Sequence, residues 1–221
     1  MRVLALTLTA LTLVLVAGIA GAAPSFNGYT GLVLVPTADT LDLDEYNVAA
    51  FSEDVDPRTD VFSFQYGVAE GLEVGAARVR AHGGDRETLL MAKYRIRPET
   101  DRQAGLAAGL FDPFDEVDAT AYVAASKAWG RTLRVFQNDI TNIRGTLGFG
   151  GGMLDGFFVG ASGGLGDRLL LMTELVKTQS TDSYDFNAGA RLNVGGGLRL
   201  HGAFFDNFTD FGFGASWNHM R

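Results

Sequence analysis

Strict alternation of apolar and polar residues is the feature that most limits what this chain can fold into. Residues 61–68 (VFSFQYGV), 183–194 (SYDFNAGARLNV) and 210–217 (DFGFGASW) place aromatic or aliphatic side chains at every second position. The positions between them are mainly polar or glycine. A period of two is the repeat of a β-strand with one apolar face, so the sequence predicts strands and no long amphipathic helix.

Further segments of strand character follow one another along the chain, separated by turn sequences such as Glu70-Gly71 and 195–197 (GGG). These segments are 47–53, 72–80, 88–96, 104–110, 119–128, 133–138, 144–150, 157–162, 169–177 and 198–205. The stretch 168–178 also fits a helical pattern, but its closely flanking glycines favour a strand. The total is odd, whereas bacterial single-chain barrels have even strand numbers. We assign 133–138 to a connection and predict about 12 strands, within a range of about 10–14.

The direction of the apolar face decides between a soluble and a membrane fold. In a soluble sandwich the aromatic face is buried, whereas in a membrane barrel it meets lipid. Segments of about 8–11 residues suit a tilted bilayer span, and the opposite face is rich in Gly, Ala and Ser, as in a small lumen. The chain also ends on an aromatic strand, as outer-membrane barrels commonly do. The predicted fold is an all-β, antiparallel, up-and-down transmembrane β-barrel.

The first 22 residues have the pattern of a secretory signal peptide. Arg2 precedes an uncharged stretch over 3–19, and small residues at 20–23 provide a cleavage site after Ala22. The alternative is an uncleaved anchor, because the apolar stretch approaches the length of a bilayer span. The chain has no cysteine, which excludes disulfides. We predict a cleaved signal peptide over 1–22 and a single outer-membrane barrel domain over 23–221.

Charge and histidine spacing argue against two classes of partner. A formal net charge of −8 provides no basic surface for nucleic acid. His82, His201 and His219 lack the close pairing of a zinc site, and no glycine cluster continues into a phosphate-binding loop. We therefore predict no metal site, no cofactor and no nucleic-acid partner.

Two weaker patterns leave room for chemistry. The acidic stretch 112–118 has the oxygen ligands of a weak calcium site, although such stretches are more often solvated loops. Ser216 and His201 would form a nucleophile and a base if they faced each other across a hairpin, although a strand serine more often fills a lumen. We predict that the protein is not an enzyme and has no catalytic residues.

Four charged residues are predicted to face the barrel interior: Lys93, Lys127, Glu174 and Arg191. A charge inside a narrow barrel is costly unless it is paired or hydrated. These residues therefore form either internal salt bridges that rigidify a closed lumen, which we favour, or a polar passage.

The segment 28–41 (GYTGLVLVPTADTL) is apolar and β-branched up to Pro36 and then becomes polar. Proline cannot donate a hydrogen bond within a sheet. The segment is therefore either a first strand that ends at Pro36 or a stretch tucked into the periplasmic mouth of the barrel.

This segment also carries a family resemblance. Its "TGL…PTA" signature, directly after the export signal, resembles the start of the YjbH-like exopolysaccharide-biosynthesis outer-membrane proteins. The signature residues are Gly28, Thr30, Gly31, Leu32, Pro36, Thr37 and Ala38. Residues 122–130 (YVAASKAWG) and 166–176 (GDRLLLMTELV) are similar to later strands of that family. The resemblance implies a short, single-barrel member involved in making or exporting a cell-surface polysaccharide, and it brings no catalytic residues.

The predicted function is a non-enzymatic outer-membrane barrel linked to exopolysaccharide or capsule production or export. The expected partners are outer-membrane lipid and surface polysaccharide or its export proteins. Two alternatives stay open: a small porin-like passive channel, and a soluble periplasmic β-barrel that binds an apolar ligand. The channel needs a hydrated lumen, and about twelve strands leave little free space.

Overall fold

The computed structural model describes residues 22–54, 58–130, 132–135, 138–177 and 183–219. Its strands are β1 (Tyr46–Asp54), β2 (Thr59–Ala69), β3 (Leu72–Ala81), β4 (Arg86–Arg97), β5 (Gly105–Phe111), β6 (Thr120–Ala128), β7 (Leu133–Val135), β8 (Asn138–Gly151), β9 (Gly156–Leu165), β10 (Leu169–Val176), β11 (Asp185–Gly195), β12 (Leu198–Phe205) and β13 (Asp210–His219). Within the described ranges, no helix has the length and apolar character needed to cross a membrane. The predicted signal peptide over 1–22 lies outside the described residues except for Ala22.

The sheet closes on itself as a barrel of twelve antiparallel strands. Strand β1 pairs with β13, and β6 pairs with β8 across the gap left by β7. The short strand β7 only extends β8 as a hairpin, so it stands outside the ring. Each of the twelve ring strands pairs with a neighbour on both sides, which suits a sheet surrounded by lipid. The twelve-stranded barrel and the strand over 169–177 are confirmed. Of the predicted connection 133–138, residues 133–135 stand outside the ring, Asn138 already belongs to β8, and 136–137 lie outside the described residues.

The two ends of the barrel differ in what they carry. Strand β1 begins opposite the end of β13, with Tyr46 paired to His219, and we call this the terminal end. At the opposite end, which we call the loop end, β1 is followed by β2, β3 by β4, β5 by β6, β8 by β9, β10 by β11 and β12 by β13; the described connections there include 82–85, 112–119, 152–155 and 206–209. Because the number of ring strands is even, the beginning of β1 and the end of β13 lie at the same end of the barrel.

The outer face of the barrel is an apolar belt. Phe64, Leu110 and Leu147 point outward and are 44%, 51% and 57% exposed. Aromatic side chains gather near both ends of the strands, as in the interfacial girdles of membrane barrels. They are Phe149, Phe157, Phe186, Phe204, Phe211 and Phe213 at the loop end, and Tyr46, Tyr94 and Trp217 at the terminal end. The predicted outward direction of the apolar face is confirmed, and it is opposite to that of a soluble barrel.

Residues 22–45 precede β1, and residues 22–41 fold into the barrel interior; we call the segment 22–41 the plug. Phe26, Val33, Val35 and Leu41 of the plug are at most 2% exposed. The interpretation of 28–36 as a first barrel strand is wrong, because the first strand begins at Tyr46. The segment also reaches past the mouth and fills the lumen.

Two glycines allow the plug to fold so tightly. Gly28 has a φ of +98°, in the left-handed region that side chains disfavour. Gly31 forms an isolated β-bridge with Pro36, and a β-carbon at Gly31 would lie 2.4 Å from the Val35 carbonyl oxygen. The glycines of the signature therefore shape a compact turn inside the barrel.

Candidate functional site

The contact surface between the plug and the inner wall is the candidate site, and Glu174 on β10 is its best-satisfied group. The carboxylate accepts hydrogen bonds from the backbone N–H groups of Val33, Leu34 and Val35 at 3.1, 2.8 and 3.1 Å. Asn187 on β11 donates a fourth at 3.0 Å. Three successive N–H groups that converge on one anion form the concave site that backbone amides offer to negative charge. A wall carboxylate thus fixes the tip of the plug.

A buried ion pair on β3 and β4 holds a second part of the plug. Lys93 Nζ lies 3.5 Å from Glu73 Oε1, and both side chains are at most 2% exposed. Glu73 accepts from the Thr30 hydroxyl at 2.6 Å and from the Leu41 N–H at 3.0 Å. Lys93 donates to the carbonyl oxygens of Thr30 and Asp39 at 2.6 and 2.8 Å. The pair therefore connects the two ends of the signature segment to the wall.

Arg191 on β11 binds plug carbonyl groups. Its Nη2 donates to the oxygens of Pro24, Gly31 and Leu32 at 3.2, 3.0 and 3.3 Å. An arginine presents several donors in a rigid fork, which suits several carbonyl oxygens at once. The guanidinium is buried, and backbone dipoles surround it.

Other wall side chains fix the beginning of the plug. Arg199 and Asn218 both donate to the Ala22 carbonyl oxygen, at 3.1 and 2.8 Å. Gln65 on β2 donates to the carbonyl oxygen of Gly28. The plug is thus bound to the wall from its first described residue.

At the terminal end, charged side chains link the end of the plug to the connection 98–104 between β4 and β5. Arg144 pairs with Asp39 and lies 2.9 Å from Glu99. Burial opposes ionisation of Asp39, but the Arg144 guanidinium outweighs it and lowers the pKa of this carboxyl. Lys127 donates to the carbonyl oxygen of Thr100 at 2.5 Å and lies 3.8 Å from Glu99. Lys127 therefore holds the connection at the mouth.

Towards the loop end, the plug packs through aromatic rings. Phe26 lies 4.6 Å from Phe51 and 5.1 Å from Phe205 between ring centroids. Tyr29 lies 5.6 Å from Phe111 and is also near Tyr122. These rings form a dry cluster inside the barrel, which adds apolar burial to the polar attachments.

The inner wall leaves room for the plug because it carries small residues. A β-carbon at Gly160 would lie 2.4 Å from Leu32 Cδ1, and one at Gly189 would lie 2.8 Å from Val33 Cγ2. A cavity of about 330 Å³ remains beside the plug, lined in part by Asp39, Arg144 and Arg191. A segment of the chain thus occupies the lumen, and the space next to that segment is polar.

Ser216 and His201 do face each other across the β12–β13 hairpin. His201 Nε2 lies 2.8 Å from Ser216 Oγ, and Arg191 Nε donates to His201 Nδ1 at 3.3 Å. Because a guanidinium can only donate, Nδ1 accepts, and the neutral ring then carries its proton on Nε2. This proton points at Ser216, so the histidine is in the wrong tautomer to activate the serine as a base.

The acidic stretch 112–118 is organised by its own backbone. The Asp112 carboxylate is buried and accepts from the N–H groups of Glu116, Val117 and Asp118 at 3.1, 2.7 and 2.9 Å. Its lone pairs are used within the loop, as in other aspartate-capped turns. Among the described residues, no group of three or more His, Cys, Asp and Glu side chains is placed to hold a metal ion.

The predicted interior charges therefore have two different roles. Lys93, Glu174 and Arg191 lie in the lumen and bind the plug. The interior position predicted for Lys127 is wrong: Lys127 follows the buried, inward-facing Ser126, so it lies on the outward side of β6 and bonds a connection at the mouth. Only Lys93 has the internal salt bridge that we favoured; Glu174 and Arg191 bind plug backbone. Glu73 escaped the sequence analysis, although it alternates with outward-facing residues and a period-two argument would have placed it inside.

Comparison with known proteins places the fold. No family model matches the chain, and no curated protein matches it. The chain is similar to the KdgM porin, with a TM-score of 0.56 and 10% identity over 79% of this chain and 99% of that one. It is similar to the KdgM porin in complex with disordered oligogalacturonate, with a TM-score of 0.55 and 11% identity over the same shares. The barrel has the fold of a small porin.

Proposed function

We propose that the protein is a non-enzymatic outer-membrane channel of the small-porin kind, held closed by its plug. The observation that carries this proposal is the chemistry of the inner wall. Four of its buried charged side chains, Glu174, Glu73, Lys93 and Arg191, form hydrogen bonds with the backbone of the plug. A permanently closed small barrel is filled by side chains of its own strands.

Departure of the plug would leave a wall suited to water. The exposed groups would be carboxylates, guanidinium groups and small residues such as Gly160 and Gly189, and charged groups in a lumen are stable when hydrated. Polar interiors of this kind line the channels of porins. The shared fold with the KdgM porin supports the same interpretation.

The proposed orientation in the outer membrane determines the side from which the plug enters the barrel. The outward apolar belt between two aromatic bands supports membrane insertion. Outer-membrane barrels have short turns on the periplasmic side, and the terminal end carries the shortest connections, 70–71, 166–168 and 196–197. The terminal end would then face the periplasm, and the plug would enter from there, directly after the predicted signal peptide.

The link to exopolysaccharide remains a prediction from the family resemblance. Its signature residues are structural parts of the plug: Thr30 contacts Glu73, Arg191 binds the Gly31 carbonyl, and the Ala38 N–H binds Ser126. A shared signature would therefore mean a shared plug. The neighbouring porin fold has been seen in complex with oligogalacturonate, which makes a carbohydrate the first substrate class to test.

Single-channel conductance tests the channel proposal. We expect wild-type protein in planar bilayers to open rarely and Glu174→Ala to raise the open fraction at least tenfold. The reason is that three buried N–H groups of the plug lose their acceptor, and about 1.4 kcal/mol corresponds to a factor of ten. Thr173→Ala, the outward neighbour on β10, is the matched control and should behave like wild type.

The folded state of each variant is checked separately by the heat-induced shift in gel mobility. Folded Glu174→Ala barrels that never conduct would contradict the channel proposal. A wild-type protein that conducts as freely as Glu174→Ala would contradict the role of the plug.

A further inference from the structure

Three arginines interrupt the apolar outer face near the loop end. Arg78 and Arg80 on β3 and Arg86 on β4 all point outward and are exposed. Arg80 and Arg86 are directly paired across the two strands, and Arg78 lies one outward position closer to the middle of the barrel. They form a compact positive patch on the sector of the wall made by β1–β4.

Five other strands of the wall show what is expected at this depth. Strands β8, β9 and β11–β13 carry phenylalanines near the loop end, such as Phe149 and Phe157 with ring centroids 5.1 Å apart. Membrane barrels place aromatic residues at this interface on all sides. The sector with Arg78, Arg80 and Arg86 replaces the aromatic band with positive charge.

The described part of the chain supplies these arginines with no side-chain hydrogen bond or ion pair. The nearest carboxylate in register, Asp60, pairs instead with Arg58 at 3.7 Å and accepts from Ser52 at 2.8 Å. An arginine on the lipid face is destabilising, least near the interface and most at the midplane of the bilayer. An anionic group supplied by the surroundings would remove that cost.

An apolar recess lies beside the patch. It has a volume of about 710 Å³, with Ala50, Ala215 and Gly214 forming a shallow floor between Phe62, Phe213 and Leu200. Arg78, Arg80 and Arg86 line the same recess. Asp60 lines it too, with its carboxylate held by Arg58 and Ser52, so the three arginines leave the recess with a net positive charge. A ligand that fits must combine an apolar body with a negatively charged head.

We propose that this outer groove binds one molecule of lipid A, the bisphosphorylated acylated sugar of the outer leaflet. The guanidinium groups bind the phosphates, for which arginine has a matching planar geometry, and the acyl chains lie over Ala50, Phe62 and Leu200. The inference rests on the outer-membrane orientation proposed above, because that orientation puts the loop end in the outer leaflet. Three arginines suit two phosphates better than the single phosphate of a phospholipid.

Native mass spectrometry tests the site on full-length folded protein. Delipidated protein in mild detergent is given bisphosphorylated lipid A, and the retained lipid is counted. The triple variant Arg78→Gln, Arg80→Gln, Arg86→Gln should retain at least tenfold less lipid A than wild type. The control triple variant Arg102→Gln, Arg134→Gln, Arg168→Gln removes the same charge at the terminal end and should change retention less than twofold.

A second variant tests the apolar part of the groove. Ala50→Leu fills the recess while keeping all three arginines, and we expect it to lower retention about fivefold. Unchanged retention in the groove triple variant, or equal loss in both triple variants, would overturn the proposal. Phosphatidylglycerol retained as well as lipid A would overturn the choice of lipid. Conductance of the groove triple variant, which should equal that of wild type, separates failure of this site from failure of the channel proposal.

Discussion

The inner and outer faces of the same strands behave as two different surfaces. On β10, Glu174 points inward and binds three plug N–H groups, while Thr173 and Leu175 point outward. On β11, Arg191 binds plug carbonyls and Leu192 is 40% exposed on the outside. Adjacent residues of one strand thus contact the plug on the inner face and lipid on the outer face. Substitutions of equal size should therefore have unequal effects on the two faces.

The largest effect is expected on the inner face at Glu73. Glu73→Ala leaves Lys93 buried without its carboxylate and removes the acceptor of Thr30 and Leu41. Breaking a buried pair in this way costs about 3–5 kcal/mol. Urea unfolding from lipid vesicles measures the loss, and the outward control Val74→Ile should stay near wild type.

The double variant Glu73→Gln, Lys93→Met sharpens the same test. It removes both charges, so the part of the loss that comes from the unpaired Lys93 charge should return. The carbonyl groups of Thr30 and Asp39 still lack their donor, so the double variant stays below wild type. A double variant as unstable as Glu73→Ala would show that the ion pair is not the cause of the loss.

The next effect is expected on the outer face. Leu147 is 57% exposed and lies midway along the pairing of β8 with β6. Leu147→Arg should cost about 2–4 kcal/mol in vesicles, because the charge enters hydrocarbon. Leu147→Phe keeps the surface apolar and should be nearly neutral. Equal stability of the two variants would mean that this face does not meet lipid.

A smaller effect is expected within the plug itself. Gly31→Ala brings a β-carbon to 2.4 Å from the Val35 carbonyl oxygen, and the turn must open to relieve the clash. We expect a loss of about 1–3 kcal/mol, the usual range for overpacking. Gly84→Ala, in an exposed connection with only ordinary contacts, is the control. Identical thermal midpoints for both variants would argue against the tight turn.

The smallest effect concerns pH. Arg144 lowers the pKa of Asp39 in the folded protein. The ion pair therefore stabilises the folded state fully above the unfolded pKa of about 3.9. This stabilisation is lost as the pH falls from there through the lower pKa of the folded state. Because the Asp39 side chain is 36% exposed, we expect about 0.5–1 kcal/mol. Thermal melts at pH 7 and pH 3 should show a smaller acid-induced drop for Asp39→Asn than for wild type. An unchanged drop would exclude this contribution.

The strand pattern could be predicted because each outward face is a local sequence property. Phe62, Phe64 and Tyr66 alternate with Ser63 and Gln65, and a period of two needs no knowledge of partners. The connection over 133–138 followed from the even strand number of barrels.

The plug could not be placed in this way. Its contacts join residues far apart in sequence, such as Val33 with Glu174 and Gly31 with Arg191. An apolar run that ends at Pro36 fits an edge strand and a lumen segment equally well. Only the closed barrel shows that the inward charges bind backbone.

The most direct test of the account is whether the plug occupies the lumen in the membrane. The chain has no cysteine, so the double variant Val33→Cys, Gly189→Cys contains a single pair of thiols. A β-carbon at residue 189 would lie 2.8 Å from Val33 Cγ2. This proximity suits a disulfide, whereas the control pair Val33→Cys with Ala190→Cys places the second thiol on the outer face. We predict rapid oxidation of the first pair and none of the second in isolated membranes, read by gel mobility before and after reduction. Failure of the first pair to form a disulfide in folded barrels, or equal reaction of both pairs, would contradict the plugged lumen.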